Sequence, residues 1–208
     1  MVLRWILGAL VVASGPAGAE ELPVYVDLGC EDAELALTLQ GDSGTLHFSG
    51  AEMPMARART ASGVKFDSVD DPETHVWTRG DEAMVRIAGQ DFSNCRVDRV
   101  TQVTEVRWTL ASVDGHALEG SAPELSFGED GSVAGRIACG TLEGSWEFEE
   151  GLLHIAAEPA ASETCAPGDG AQDKALLAAL GAVTGLGFSP DGALELRAGD
   201  VTRISATQ

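Results

Sequence analysis

Ser62 and Arg79, with the short polar run between them, are the residues of this chain whose types and spacing bring chemistry closest together. From Ser62 to Ala83 the sequence is SGVKFDSVDDPETHVWTRGDEA, which reads as strand, loop, strand. Apolar segments over Gly63 to Phe66 and His75 to Thr78 enclose the polar run Asp67 to Thr74, which holds Asp70, Asp71 and Pro72. Ser62 stands before Gly63 and Arg79 before Gly80, so a hydroxyl and a guanidinium are predicted on neighbouring loops. The stretch also contains the elements of nucleophilic catalysis: Ser62, His75 and Asp70 or Asp71. Catalysis requires a base within reach of the hydroxyl and a third group to orient that base. No nucleophile elbow surrounds Ser62, and a serine, histidine and aspartate on one pair of loops arise readily by chance, so no enzyme is expected.

The same residues resemble the signature of the MliC-type family of bacterial inhibitors of c-type lysozyme. That signature is roughly Ser-Gly-x-x-Tyr, a short spacer, then Phe-Trp-x-Lys-Gly-x-Glu-Ala. It is matched here by Ser62, Gly63 and Phe66, then Val76, Trp77, Arg79, Gly80, Glu82 and Ala83. Three positions depart from it, with Phe66 in place of Tyr, Val76 in place of Phe and Arg79 in place of Lys. The resemblance implies that Ser62 and Arg79, with Gly63 and Gly80 beside them, enter the lysozyme cleft and engage its catalytic carboxylates. It also implies a small closed β-barrel.

The first residues follow the plan of a secretory leader. Arg4 is the one positive charge, Trp5 to Ala13 is apolar, and Ala17-Gly18-Ala19 precedes two glutamates, so cleavage is expected after Ala19. The apolar run of about nine residues falls well below the roughly twenty needed to span a bilayer, and no stable membrane anchor is expected. The expected location is periplasmic. In an oxidising compartment the four cysteines, Cys30, Cys95, Cys139 and Cys165, are expected to pair. Three connectivities are open, and locality favours Cys30 with Cys95 and Cys139 with Cys165. No metal site or cofactor is expected, since no CxxC pair exists and His47, His75, His116 and His154 are scattered without ligand spacing.

Thirty-three acidic residues stand against 13 basic ones, a net charge of −20. This balance repels phosphate backbones and anionic membrane surfaces, so nucleic acid is excluded as a partner. A basic protein is favoured, and c-type lysozyme, the partner implied by the resemblance, is typically basic. Solubility in an exported protein accounts for the charge equally well.

Two β domains are expected to position these residues, residues 20–103 and residues 104–208, after a leader of residues 1–19. In the first, Leu35, Leu37 and Leu39, then Leu46 and Phe48, then Val64 and Phe66, then Ala83, Val85 and Ile87 alternate with polar residues, the pattern of an antiparallel sheet or small barrel. Arg96 to Glu105 reads as a polar bridge. Beyond it, Asp114-Gly115, Asp130-Gly131 and Glu150-Gly151 separate further alternating runs, with Asp-Gly the signature of type I′ hairpins. One helix is predicted over Lys174 to Leu180, capped by Asp173, with Leu176, Leu177 and Leu180 as its apolar stripe and Gly181 at its end. A last hairpin, Leu186 to Leu196, turns at Ser189-Pro190-Asp191-Gly192. The fold class is thus mainly β, a small antiparallel barrel followed by a second antiparallel β domain with one packed helix.

This second part resembles the META, or HslJ-like, domain through Trp108-Thr109-Leu110, Leu125-x-Phe127, Gly135 to Cys139-Gly140, Cys165 and the late helix. Ala138-Cys139-Gly140 stands where the family usually has Gly-Cys-Asn. The resemblance supplies no chemistry and no partner for this half. An envelope structural or stress module, in which the second half binds a cell-envelope partner and the first only assists, is the alternative to lysozyme inhibition.

Overall fold

The structure, a computed structural model, describes residues 21–118, 120, 122–162, 165 and 167–208; the expected leader and its cleavage position lie outside them. The period-two pattern of the first half forms β1 (Val24–Gly29), β2 (Glu34–Gln40), β3 (Ser43–Phe48), β4 (Ala51–Ala58), β5 (Val64–Ser68), β6 (His75–Arg79), β7 (Glu82–Ile87), β8 (Gln90–Phe92) and β9 (Arg96–Gln102). Strands β1 to β7 follow one another as an antiparallel meander. β7 then meets β9 and β9 returns to β1, so eight strands close a barrel while β8 pairs with β7 beside it. Alternate residues point inward, and Leu35, Leu37, Leu46, Met55, Phe66, Val76 and Val85 fill the interior. The segment read as a polar bridge is largely the closing strand of this barrel. Its polar composition reflects one face turned to solvent, and an edge that would otherwise stay open is sealed by pairing with β1. A disulfide joins Cys30, just after β1, to Cys95, just before β9.

A 3-10 turn (Val103–Glu105) leads into the second half, and the Trp108 indole N–H fixes it by donating to the Val103 carbonyl at 2.9 Å. Here β10 (Arg107–Val113), β11 (His116–Ala117), β12 (Glu124–Phe127), β13 (Ser132–Ile137), β14 (Gly140–Glu149) and β15 (Leu152–Ser162) precede α1 (Pro167–Leu180). Then come β16 (Gly185–Phe188), β17 (Leu194–Ala198) and β18 (Val201–Thr207). The antiparallel order is β15-β14-β13-β12-β10-β18-β17-β16, with β11 paired to β10. Thr184 draws the two ends of the sheet together, its carbonyl accepting from Leu153 N at 2.9 Å and its N–H donating to the Arg197 carbonyl at 2.7 Å.

Two expectations for this half require correction. The helix starts at Pro167, a residue suited to a first helical position because it has no N–H to leave unpaired. Asp173 is therefore inside the helix and caps a different segment: its buried carboxylate accepts the N–H groups of Ala138 at 3.0 Å and Cys139 at 2.8 Å. This bond pair holds the β13–β14 turn against α1, next to the disulfide between Cys139 and Cys165. Leu176, Ala179 and Leu180 form the buried stripe, and Leu177 is only half-buried. Asp114-Gly115 and Glu150-Gly151 have two consecutive positive φ values, as a type I′ hairpin requires, but Asp130 does not. Its carboxylate instead accepts from Ser132 N at 3.0 Å and Ser132 Oγ at 2.6 Å, closing a longer loop.

The halves share a core. With Val24, Val26 and Leu28 turned into the barrel, Tyr25 must face outward, and it is buried among the apolar residues of the second half, 2 % exposed. Its ring lies 5.8 Å from that of Phe188, and its hydroxyl donates to the Pro190 carbonyl at 3.1 Å. Gln208 adds a second tie, donating to Thr101 Oγ1 at 2.7 Å and accepting from Arg99 at 3.2 Å.

Candidate functional site

The register of β4, β5 and β6 decides how the signature residues meet. Val64 pairs with Thr78, so Gly63 approaches Arg79 and the loop of residues 59–63 lies beside the turn of residues 80–81. Trp77 lies on the outer face of β6, between Lys65 and Met84 of the adjacent strands, and its indole N–H donates to the Ser62 carbonyl at 2.9 Å. Thr60 Oγ1 donates to the same carbonyl at 3.1 Å. Ser62 is thereby fixed through its backbone while its side chain remains exposed.

The two glycines serve conformation. Gly63 has φ +72°, and a Cβ there would collide with the Thr78 carbonyl oxygen, so the close approach of the loop to β6 requires glycine. Gly80, with φ +61°, opens the two-residue turn between Arg79 and Glu82. The structure thus brings Ser62, Gly63, Arg79 and Gly80 to one end of the barrel, with Arg79 exposed at the tip of its strand.

Two of the three departures from the signature lie in the interior. Phe66 and Val76 face each other across β5 and β6 and are fully buried, and Arg57 stacks on the Phe66 ring at 5.4 Å. Both are core positions, away from the exposed loops. Arg79 is the one departure at the surface.

Charge at this end is arranged unevenly. Arg57 pairs with Asp42 at 3.0 Å and Lys65 with Asp67 at 2.7 Å. Among the described residues every lysine and arginine has an ion-pair partner except Arg59, Arg79 and Lys174. Asp81 and Glu82 follow Arg79 in the chain, yet neither pairs with it.

The catalytic arrangement is not assembled. His75 pairs with Asp67, four residues along β5 from Gly63, which separates it from the Ser62 loop by about 13 Å of strand. Asp71 is occupied by Thr74 Oγ1 at 2.6 Å and Glu73 N at 3.0 Å, and these bonds hold its carboxyl below the usual range. Ser62-Gly63-Val64-Lys65 has the spacing Ser-x-x-Lys, but Lys65 is on a strand and engaged by Asp67. No group of histidine, cysteine, aspartate or glutamate suited to a metal ion occurs among the described residues.

Inward-facing Val24, Val26, Leu39, Val64 and Val100 line an apolar mouth of about 620 Å³ at this end, with Arg57 and Thr78 at its rim. Between the halves runs a second cleft of about 440 Å³, lined by Tyr25, Asp27, Glu34, His47, Glu52 and Asp191. Tyr25 and Asp173, the residues that organise the contact between the halves and the helix junction, were not among the expected site residues. For Tyr25 the available signal is parity: it is the one large apolar residue on the outward phase of β1.

No helix among the described residues is long and apolar enough to cross a membrane. The chain matches two family models. Residues 29–93 match "Membrane-bound lysozyme-inhibitor of c-type lysozyme", and residues 101–208, more than half of the chain, match "META domain". No curated protein and no solved structure matches it. The first match leaves out nearly all of β1 and the whole of β9, the strands that carry Tyr25 and Thr101, both bonded to residues of the second half.

Proposed function

The chain belongs to the META domain family and joins to it a domain of the membrane-bound lysozyme-inhibitor of c-type lysozyme family, and from that premise we propose that it is a periplasmic inhibitor of c-type lysozyme that occludes the catalytic cleft. The observation that carries this reading is the placement, at one end of the barrel, of an exposed Ser62 hydroxyl and an Arg79 guanidinium that has no ion-pair partner among the described residues. Glycoside hydrolysis by lysozyme needs one carboxyl as acid and a second as nucleophile or stabiliser. A guanidinium set against them favours the ionised form of both, and the catalytic acid works only when protonated. Ser62 adds a hydrogen bond. The net charge of −20 speeds the approach of a basic enzyme at low salt. The same reading assigns residues 20–103 to the inhibitor half and residues 104–208 to the META half, whose own partner it does not name.

The test is residual lysozyme activity on bacterial cell walls with the mature protein, comparing c-type with g-type enzyme. Stoichiometric, selective loss of c-type activity is expected. Arg79→Glu should abolish it with the fold intact, and Ser62→Ala should weaken it less, since truncating one partner of a desolvated charge pair costs about 2 to 5 kcal/mol. No inhibition at micromolar protein would overturn the proposal and leave the envelope-module alternative ahead.

A further inference from the structure

We propose that Arg59 is a second cationic contact of this face, acting together with Arg79 on a partner that presents two carboxylates; the inference rests on the lysozyme reading above and extends it to a residue outside the signature.

Arg59 follows directly on β4, whose last residue, Ala58, pairs with Lys65. One further step in that register sets residue 59 beside residue 64, next to Gly63 and the apolar mouth. The loop it opens is short and is bound twice at the Ser62 carbonyl, by Thr60 from within and by Trp77 from β6. Ser62 is therefore tied to β6 beside Arg79, while Arg59 takes its place from the end of β4, and the tie at Ser62 lowers the ordering that binding has to supply.

The distribution of charge singles out the same two residues. Acidic side chains are abundant enough to pair almost every cation, and Arg57 and Lys65, on the strands either side of Arg59, are both engaged. Arg59 and Arg79 are the exceptions in the barrel; the third, Lys174, belongs to α1 in the other half. Both exceptions are exposed, and both lie at the end of the barrel that carries Ser62.

The chemistry gives this pairing a use. Two carboxylates carried into a dry interface against one cation leave an uncompensated negative charge, which is costly to bury. An arginine fork directed at one carboxylate spends its paired hydrogen bonds there and reaches the second only with its field, where an ammonium can sit between two. Ser62 offers the other carboxylate a hydrogen bond but no charge. Arg59 supplies the missing charge, so that two guanidiniums face two carboxylates.

The experiment measures the inhibition constant of the full mature chain against c-type lysozyme for the parent and for Arg59→Ala, Arg59→Glu and Arg59→Lys, with thermal unfolding as a check on folding. Arg59→Ala should weaken inhibition about tenfold at low salt and Arg59→Glu about a hundredfold, with Arg59→Lys within about threefold of the parent. Weakening by salt should be shallower for Arg59→Ala than for the parent. The loss of inhibition on acidification should also be smaller, because one bound carboxylate is then less strongly held in its ionised form. Arg59→Glu within about twofold of the parent, alongside loss of inhibition by Arg79→Glu, overturns the inference and leaves the lysozyme reading standing. A parent that does not inhibit overturns both.

Discussion

The indole N–H of Trp77 and the carbonyl of Ser62, 15 residues apart in the chain, are 2.9 Å apart in space. Through this bond the tryptophan of the signature acts on the serine from the outer face of the barrel. Replacing it by phenylalanine keeps the aromatic contact with Met84 and Lys65 but removes the donor. Trp77→Phe is expected to lower stability by about 1 kcal/mol, the usual worth of one such bond. It should weaken lysozyme inhibition by a larger factor than that modest loss implies, because the loop of residues 59–63 loses its anchor. Denaturant unfolding and inhibition assays on the same preparation would decide; unchanged inhibition would mean that the loop keeps its place without the tryptophan.

Tyr25 couples the halves. Tyr25→Phe removes the hydroxyl with its hydrogen bond to Pro190 and should cost about 1 kcal/mol, whereas Tyr25→Ala empties a buried site among Phe188 and its neighbours and should cost roughly 3 to 5 kcal/mol. The parent chain is expected to unfold in one transition, reported alike by tryptophan fluorescence and far-ultraviolet circular dichroism. Two well-separated transitions in the parent would show that the shared core carries no such coupling.

Asp173 satisfies two backbone amides at once. Asp173→Ala strands the N–H groups of Ala138 and Cys139 beside α1 and is expected to destabilise by about 3 kcal/mol. Asp173→Asn, which keeps one acceptor oxygen, should cost less. The comparison is made from urea midpoints at constant slope, and equal midpoints for all three proteins would mean that the amides find other acceptors.

Stability should fall as the medium is acidified, in two stages. Burial holds His47 and His75 below the usual histidine value of 6.5, opposed by Glu52 for His47 and reinforced by Lys65 for His75. A histidine with a depressed pKa is protonated first in the unfolded chain. Its contribution is therefore intact above pH 6.5 and is lost as the pH falls from there through the lower folded value. Asp71 and Asp130, held below 3.8 by their hydrogen bonds, contribute a second loss below that pH. His47→Gln should flatten the upper stage in unfolding measured between pH 8 and pH 5, at about one proton or less per histidine. A midpoint that rises on acidification through this range would contradict the assignment.

Where side chains obey a period, the sequence was legible. Leu35, Leu37, Leu46, Phe66, Val85 and Ile87 are all buried as their alternation requires, and Asp114-Gly115 turns as its backbone demands. What stayed illegible depends on partners distant in the chain. Arg96 to Gln102 has too many polar residues to announce a strand, and it becomes one because β1 offers it an edge. Asp173 looks like a cap when only its own neighbours are considered, but the amides it serves lie 34 and 35 residues earlier. At the candidate site, residue types pointed to Ser62 and Arg79. The unpaired state of Arg79 and the bond from Trp77 are products of three-dimensional register, which no local pattern reports.

The contact between Tyr25 and Pro190 joins residues 165 positions apart, and this separation sets an order of events during folding. Closing so long a loop is slow relative to forming the hairpins on either side of it, so the docking of the halves belongs to the late part of the reaction. Until β16 and β17 exist, a barrel that has already formed displays a bare tyrosine on its outer wall. That interval, more than the finished protein, is when the chain is most exposed to aggregation and to proteases.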